Sequence, residues 1–177
     1  MNPDERAVDR ETLTRLWLEA RPAVEAFVFA SIRGFQDAED VVQQVALAAA
    51  RRFDEYDPTR PFVGWVLWLA KSRIVDHYRS RGRSRVVLSE AVLDRLAEIL
   101  AERAGVVSRQ AVALEKCLER LPAAARRLID MRYAEDASMD AIAAAIESTA
   151  AAVRVRLHRI RTLLAECIRA ELAKEAT

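Results

Sequence analysis

Glycine and proline are scarce in this chain: four and five among 177 residues. So few glycines leave no phosphate-cradling loop, which needs several within one short stretch. Few prolines remove the main obstacle to helix. Alanine, leucine, arginine and glutamate fill the space, and these are good helix formers. No run of alternating β-branched residues is long enough for a sheet. Cys117 and Cys167 stand far apart and fit no metal-ligand spacing, and His77 and His158 are equally isolated. Both cysteines read as reduced, inert thiols of a cytosolic protein. No apolar run follows a basic start, so no signal peptide is expected. Phe62–Ala70 is apolar but far too short to span a bilayer. No nucleophile, base and acid set accompanies a supporting motif. The reading is a non-enzyme with no metal, no cofactor and no membrane insertion.

Hydrophobic residues make 52% of the chain and charged residues 31%. Such a composition buries cores and is not that of a disordered chain. The net charge of +1 does not by itself announce a nucleic-acid binder. Its distribution does. Lys71, Arg73, Arg79, Arg81, Arg83 and Arg85 fall in one stretch opposed by Asp76 alone. Arg154, Arg156, Arg159 and Arg161 make a second basic cluster, while Asp37, Glu39 and Asp40 concentrate acid elsewhere. Local patches inside a balanced sum suit a protein that meets DNA with some faces and another protein with others. Solvated helix faces would leave the same pattern.

The fold class expected is all-α: two small helical domains joined by a partly helical linker. Leu13, Leu16, Trp17, Val24, Phe27, Val28 and Ile32 have helical spacing, with Pro22 starting a second segment or kinking the first. Gly34 ends that helix, and Asp37 is the expected N-cap of the next, which runs to Phe53. Asp54–Pro61 reads as a loop and Phe62–Ser80 as a third helix that Gly82 breaks. Residues 1–83 form the first domain and 84–109 the linker, helical from Ser89 and broken at Gly105. Residues 110–177 form the second domain, where Pro122 opens a helix, Ser138 caps another and Thr149 caps the last.

Ser138 to Arg161 reads as a short helix, a tight turn and a basic helix, the pattern of a helix-turn-helix DNA reader. In the last helix Ala150, Val153, Leu157, Ile160 and Leu164 recur three and four apart and face a core. Arg154, His158 and Arg161 lie on one flank of that stripe; Arg156 and Arg159 lie on the other. Arginines there suit phosphates, and Arg154 and His158 can reach base edges. In the third helix Phe62, Trp65, Trp68 and Tyr78 interleave with Lys71, Arg73, His77, Arg79 and Arg81. That mixture suits single-stranded DNA, whose bases stack on aromatic rings. Phe62, Trp65 and Leu69 share a face and are better read as core; Trp68 is open to either role.

These motifs resemble one family, the small extracytoplasmic-function (ECF) sigma factors of bacterial RNA polymerase. Asp37-Ala-Glu-Asp-Val-Val-Gln43 resembles the region-two helix that docks on the polymerase clamp. Phe62-Val-Gly-Trp-Val-Leu-Trp-Leu-Ala70, with Asp76 and Arg79, resembles the segment that melts and reads the minus-ten element. Leu121-Pro122, Arg132-Tyr133, Ser138, Ile142-Ala143 and Val153–Arg159 resemble region four, which binds the minus-thirty-five element. The resemblance covers about residues 12–83 and 113–165. It implies that Asp37, Asp40, Gln43 and Gln44 meet polymerase. It implies that Arg60, Lys71, Arg73, His77, Arg79 and Arg81 handle the minus-ten strand, with Asp76 pairing a nearby arginine. It assigns Thr149, Arg154, Arg156, His158 and Arg159 to the minus-thirty-five duplex. Three positions depart from the pattern: Ser72 stands where the family has Asn, Ala141 where it has Glu, and Glu147 where it has Gly.

The implied function is promoter recognition, DNA melting and transcription initiation with core RNA polymerase in the cytoplasm. An anti-sigma factor is a further partner that the resemblance allows. The competing readings are a stand-alone helix-turn-helix regulator and a helical adaptor without DNA binding. A simple regulator does not need the block Asp37–Arg81.

Overall fold

A computed structural model describes residues 3–80 and 89–175. Every regular element among them is helical. The chain divides into two units, Met1–Ser108 and Arg109–Thr177.

The first unit holds α1 (Pro3–Ser31), α2 (Phe35–Arg51), α3 (Phe62–Ser80) and α4 (Glu90–Glu102). Helix α3 packs against each of the other three. Val24, Phe27 and Val28 of α1, Val41 and Val45 of α2, and Val66, Leu67, Leu69 and Ile74 of α3 are buried together. Each such side chain contributes about 1.5–3 kcal/mol by leaving water.

Helix α1 is continuous through Pro22, which therefore does not start a second segment. Proline forfeits one backbone bond there, but Ala20, Ala23, Val24 and Phe27 on both sides of it are buried. Packing outweighs the local penalty of about 3 kcal/mol.

The expected cap Asp37 is also corrected: Gly34 takes the N-cap of α2 at φ 92°, and Asp37 lies inside the first turn. Only glycine adopts that backbone without strain. At the far end of α3, Tyr78 donates a 2.7 Å hydrogen bond to the Ser31 carbonyl, while the buried Ser31 hydroxyl donates to Phe27.

Helix α4 starts on Ser89, whose hydroxyl accepts from the Val92 amide. Leu93 is fully buried in the first core, with Leu96, Ala97, Leu100 and Ala101 packed against it. Residues 90–102 are therefore a fourth member of the bundle. Arg103 separates α4 from α5 (Ala104–Glu119), so Gly105, the expected break, lies inside a helix.

The second unit holds most of α5, then α6 (Ala123–Ile129), a π-type turn over Asp130–Ala134, α7 (Met139–Ala145) and α8 (Ala150–Glu175). Its core is Cys117, Leu128, Met131, Ile142, Ala143, Val153, Leu157, Ile160 and Leu164. The reading of free thiols is overturned: Cys117 and Cys167 form a disulfide across α5 and α8. Fifty residues separate them in sequence, yet the two helices bring their Cα atoms to 6.0 Å. One turn further along, Arg120 donates to Glu171 at 2.7 Å.

Candidate nucleic-acid and protein-docking faces

Helix α2 presents two opposite faces. Ala38, Val41, Val42, Val45, Ala48 and Ala49 are buried. At about 100° per residue, positions 37, 40, 44, 47 and 51 fall on the other side. Asp40, Gln43, Gln44, Leu47 and Arg51 are exposed there, while Asp37 is half-buried. The structure thus brings the four α2 candidates into one strip, acidic at its start and basic at its end. Leu47, 56% exposed, continues the strip. Sequence reasoning passed it over, although its spacing from Gln43 and Gln44 was the signal.

The loop before α3 is held by rings. Phe53, Tyr56, Phe62 and Trp65 form an aromatic cluster with centroids 5.2–6.3 Å apart. Burial, then the nearby Asp57 charge, pushes the Tyr56 hydroxyl above its usual range. That hydroxyl donates to the Arg60 carbonyl at 2.6 Å. Asp57 accepts from both the hydroxyl and the amide of Thr59, which hold its carboxyl below the usual range. This turn presents Arg60 to solvent, 3.6 Å from Asp57.

The basic residues of α3 do not form one patch. Lys71 and Arg73 are about 200° apart around the helix. Lys71 turns toward α4, where its Nζ meets Asp94 Oδ1 at 2.5 Å. Arg73 lies on the other flank and pairs with Asp76 at 3.5 Å, as read for Asp76. His77 is partly exposed and packs edge-on against Tyr78. Arg79 shares the solvent face with Trp68 and Ser72. Arg81 lies outside the described residues. Trp65 packs on the core, while Trp68 is 54% exposed with the Arg52 guanidinium 5.1 Å from its ring centre. Glu55 fixes that guanidinium through hydrogen bonds of 2.5–3.0 Å, which hold the Glu55 carboxyl low and raise Arg52.

In the second unit, Ser138 caps α7 by accepting from the Ala141 amide at 3.1 Å. The turn that follows carries two reverse hydrogen bonds, Ser148 N–H to Ala143 C=O and Glu147 N–H to Ala144 C=O. That pair defines a Schellman close, whose left-handed position usually holds glycine. Glu147 occupies it at φ 49°, a strain of roughly 1–2 kcal/mol. Thr149 then caps α8, its hydroxyl accepting from the Ala152 amide at 3.2 Å.

Along α8, Val153, Leu157, Ile160 and Leu164 are buried and Ala150 is partly so. Arg154 and His158 project from one flank, Arg156 and Arg159 from the other, all four exposed. Arg161 leans on the Tyr133 hydroxyl at 3.4 Å, a contact the sequence did not suggest. The arrangement is a short capped helix, a closed turn and a helix whose base is buried and whose sides are cationic. Such an element can lay its N-terminal end in a groove while its flanks meet phosphates.

Among the described residues no cluster of His, Cys, Asp and Glu could hold a metal, and no helix is long and apolar enough to cross a membrane.

Comparison with known proteins matches both units. The family model for "Sigma-70 region 2" matches residues 16–84, and that for "Sigma-70, region 4" matches residues 111–164. The ECF RNA polymerase sigma factor SigD of Mycobacterium tuberculosis is 31% identical over 159 residues, covering 86% of this chain and 75% of that one. SigF of Caulobacter vibrioides, another ECF RNA polymerase sigma factor, is 30% identical over 133 residues, 75% of this chain and 72% of that one. A solved structure of CnrH in complex with the cytosolic domain of CnrY aligns over 93% of this chain and 90% of that one. It is 22% identical with a TM-score of 0.29, too low to bear on geometry.

Proposed function

The chain belongs to the ECF sigma factors of the sigma-70 family, which direct promoter recognition by RNA polymerase, and on that footing we propose how its faces divide the work. The exposed strip of α2, with Asp40, Gln43 and Gln44 beside Asp37, docks on core polymerase. The sequence-assigned residues Arg60, Lys71, Arg73, His77, Arg79 and Arg81 handle the minus-ten strand from the loop before α3 to just beyond its end. Thr149, Arg154, Arg156, His158 and Arg159 hold the minus-thirty-five duplex. Both DNA and polymerase are bound without covalent chemistry, in the cytoplasm where polymerase works. An anti-sigma factor would silence the chain by covering the strip from Asp40 to Leu47.

Two observations, one in each unit, carry this reading: the two-sided build of α2 and the capped helix-turn-helix of α7 and α8. The strip supplies polar groups at regular spacing over a rigid apolar base, as a protein-docking helix requires. The reader helix supplies cations on both flanks of a buried stripe. With alanines at 150, 151 and 152, α8 grips mainly through phosphates, so binding to bare duplex is weak without polymerase.

Reconstitution tests the proposal. Purified chain is mixed with core enzyme and a pool of genomic promoter fragments, and run-off transcripts are sequenced. Co-purification with core and discrete start sites support it. Absence of both removes it.

A further inference from the structure

We propose that Asp94 is an internal competitor of DNA: its carboxylate occupies the place of a phosphate on Lys71. The inference rests on the reading that Lys71 handles the minus-ten strand. Lys71 Nζ and Asp94 Oδ1 lie 2.5 Å apart, and the Lys71 side chain keeps only 21% of its surface. A lysine held in this way by an anion is not available to a phosphate until the anion lets go.

The helix that brings Asp94 is firmly anchored. Leu93, next to Asp94 in sequence, is fully buried, and Leu96, Ala97, Leu100 and Ala101 follow it at helical spacing along the same core. Helix α4 thus packs as a wall beside α3. Its charge is one-sided: Glu90, Asp94, Glu98 and Glu102 recur every fourth residue, against Arg95, which is itself paired with Glu98 at 3.0 Å. An acidic ridge fixed beside the flank of a DNA-handling helix opposes an incoming polyanion.

The Asp94 side chain itself is 55% exposed. It can leave Lys71 by rotation, without undocking α4. A half-exposed pair is worth little, about 0.2–1 kcal/mol, so a phosphate can displace the carboxylate. Asp94 therefore sets a threshold: DNA presented alone meets a neutralised Lys71, while a strand already held elsewhere by polymerase and by α8 displaces the carboxylate at small cost. The arrangement suppresses unproductive binding of the free chain to single strands and leaves the polymerase-bound chain competent.

The test uses the full chain and a fluorescein-labelled, mixed-sequence single strand, titrated over a range of salt concentrations. Asp94→Asn keeps the shape and removes the charge. It is expected to tighten binding roughly two- to fivefold at low salt and to steepen the salt slope by up to about 0.7. Lys71→Met is expected to weaken binding, and Asp94→Asn is expected to give no gain in the Lys71→Met background. Matching thermal melts confirm that each variant folds.

If Asp94→Asn tightens binding equally with and without Lys71, the effect is general repulsion and the competitor assignment is overturned. If Asp94→Asn changes nothing while Lys71→Met weakens binding, the competitor assignment fails and the DNA role of Lys71 stands. If neither Lys71→Met nor Asp94→Asn alters binding, the DNA role of Lys71 fails and the inference falls with it.

Discussion

In the first unit, Phe27, Leu67, Leu69 and Ile74 share one core with Val41 and Val45 of α2, and Leu93 of α4 belongs to the same core. In the second unit a smaller set of buried residues is gathered mainly on α7, α8 and the turn before them. There α5 is held to α8 by the Cys117–Cys167 disulfide and by the Arg120–Glu171 pair one turn along. Small units bury a lower fraction of their surface and need such staples. One unit is held by burial over many helices, the other by burial plus cross-links. The first unit, proposed to dock on polymerase, should therefore be the robust one, and the second, proposed to read the duplex, the one sensitive to redox.

The largest expected effect separates them directly. A link closing a loop of 50 residues contributes about 4 kcal/mol through the entropy of the unfolded chain. Reduction, or the double variant Cys117→Ser with Cys167→Ser, should destabilise the second unit by up to that amount and leave the first untouched. The tryptophans make the distinction measurable, because Trp17, Trp65 and Trp68 all lie in the first unit. Denaturation followed by tryptophan fluorescence should be unchanged by reductant, while the far-ultraviolet circular dichroism curve gains an early step. Coincident curves in reductant would erase the contrast.

This staple marks the limit of what the sequence showed. The stripe Val153, Leu157, Ile160, Leu164 was legible because a helical period puts those positions on one side. The caps Ser138 and Thr149 were legible for a similar local reason: each hydroxyl serves an amide three residues ahead. The disulfide was not, since linear spacing carries no information about which turns of two helices meet. The docking of α4 and the Lys71–Asp94 pair were hidden for the same reason. Asp37 misled as a cap because Gly34, read as a stop, also serves as the start. Pro22 misled as the start of a second segment because burial of its neighbours exceeds its local cost. On the site side, the α2 residues came from the family resemblance, and the splitting of Lys71 from Arg73 was open to helical spacing, whereas the tertiary partner Asp94 of Lys71 appears only when α3 is seen with α4 in place.

The proposed division of labour can be broken by one charge. Asp40 is exposed on the α2 strip proposed to dock on polymerase, so Asp40→Arg should leave stability within about 0.5 kcal/mol. It should weaken binding to core polymerase tenfold or more, about 1.4 kcal/mol, in a pull-down or a fluorescence titration. Duplex binding by the isolated chain should not change. Arg154→Ala with Arg159→Ala is the reciprocal case. Removing two phosphate contacts should lower the salt slope of duplex binding by about 1.8 and leave core affinity intact. Loss of both activities in either variant would mean that the units do not act separately.

A smaller effect bears on the turn of the reader. Glu147→Gly relieves a left-handed strain of roughly 1–2 kcal/mol but adds unfolded-state entropy of roughly 0.5–1 kcal/mol. The second unit should gain about 0.5–1 kcal/mol, visible as a later melt in circular dichroism and again silent in tryptophan fluorescence. A loss of stability would show that the Glu147 side chain makes a compensating contact.

The smallest effect concerns acid. Hydrogen bonds from Arg120 and then Lys174 lower the Glu171 carboxyl from its ordinary 4.5 to about 2. A carboxyl lowered in the folded state stabilises it fully above the unfolded value, and that contribution disappears as pH falls through the folded one. Arg120 stays charged throughout, so Glu171 alone sets the window. The melting difference between the wild-type chain and Glu171→Gln should therefore be constant from neutral pH to about 4.5, then close toward pH 2. It should be confined to the circular dichroism signal of the second unit. A difference that already closes above pH 5 would mean that the Arg120–Glu171 pair does not hold α5 to α8, leaving the disulfide as the stronger candidate for that role.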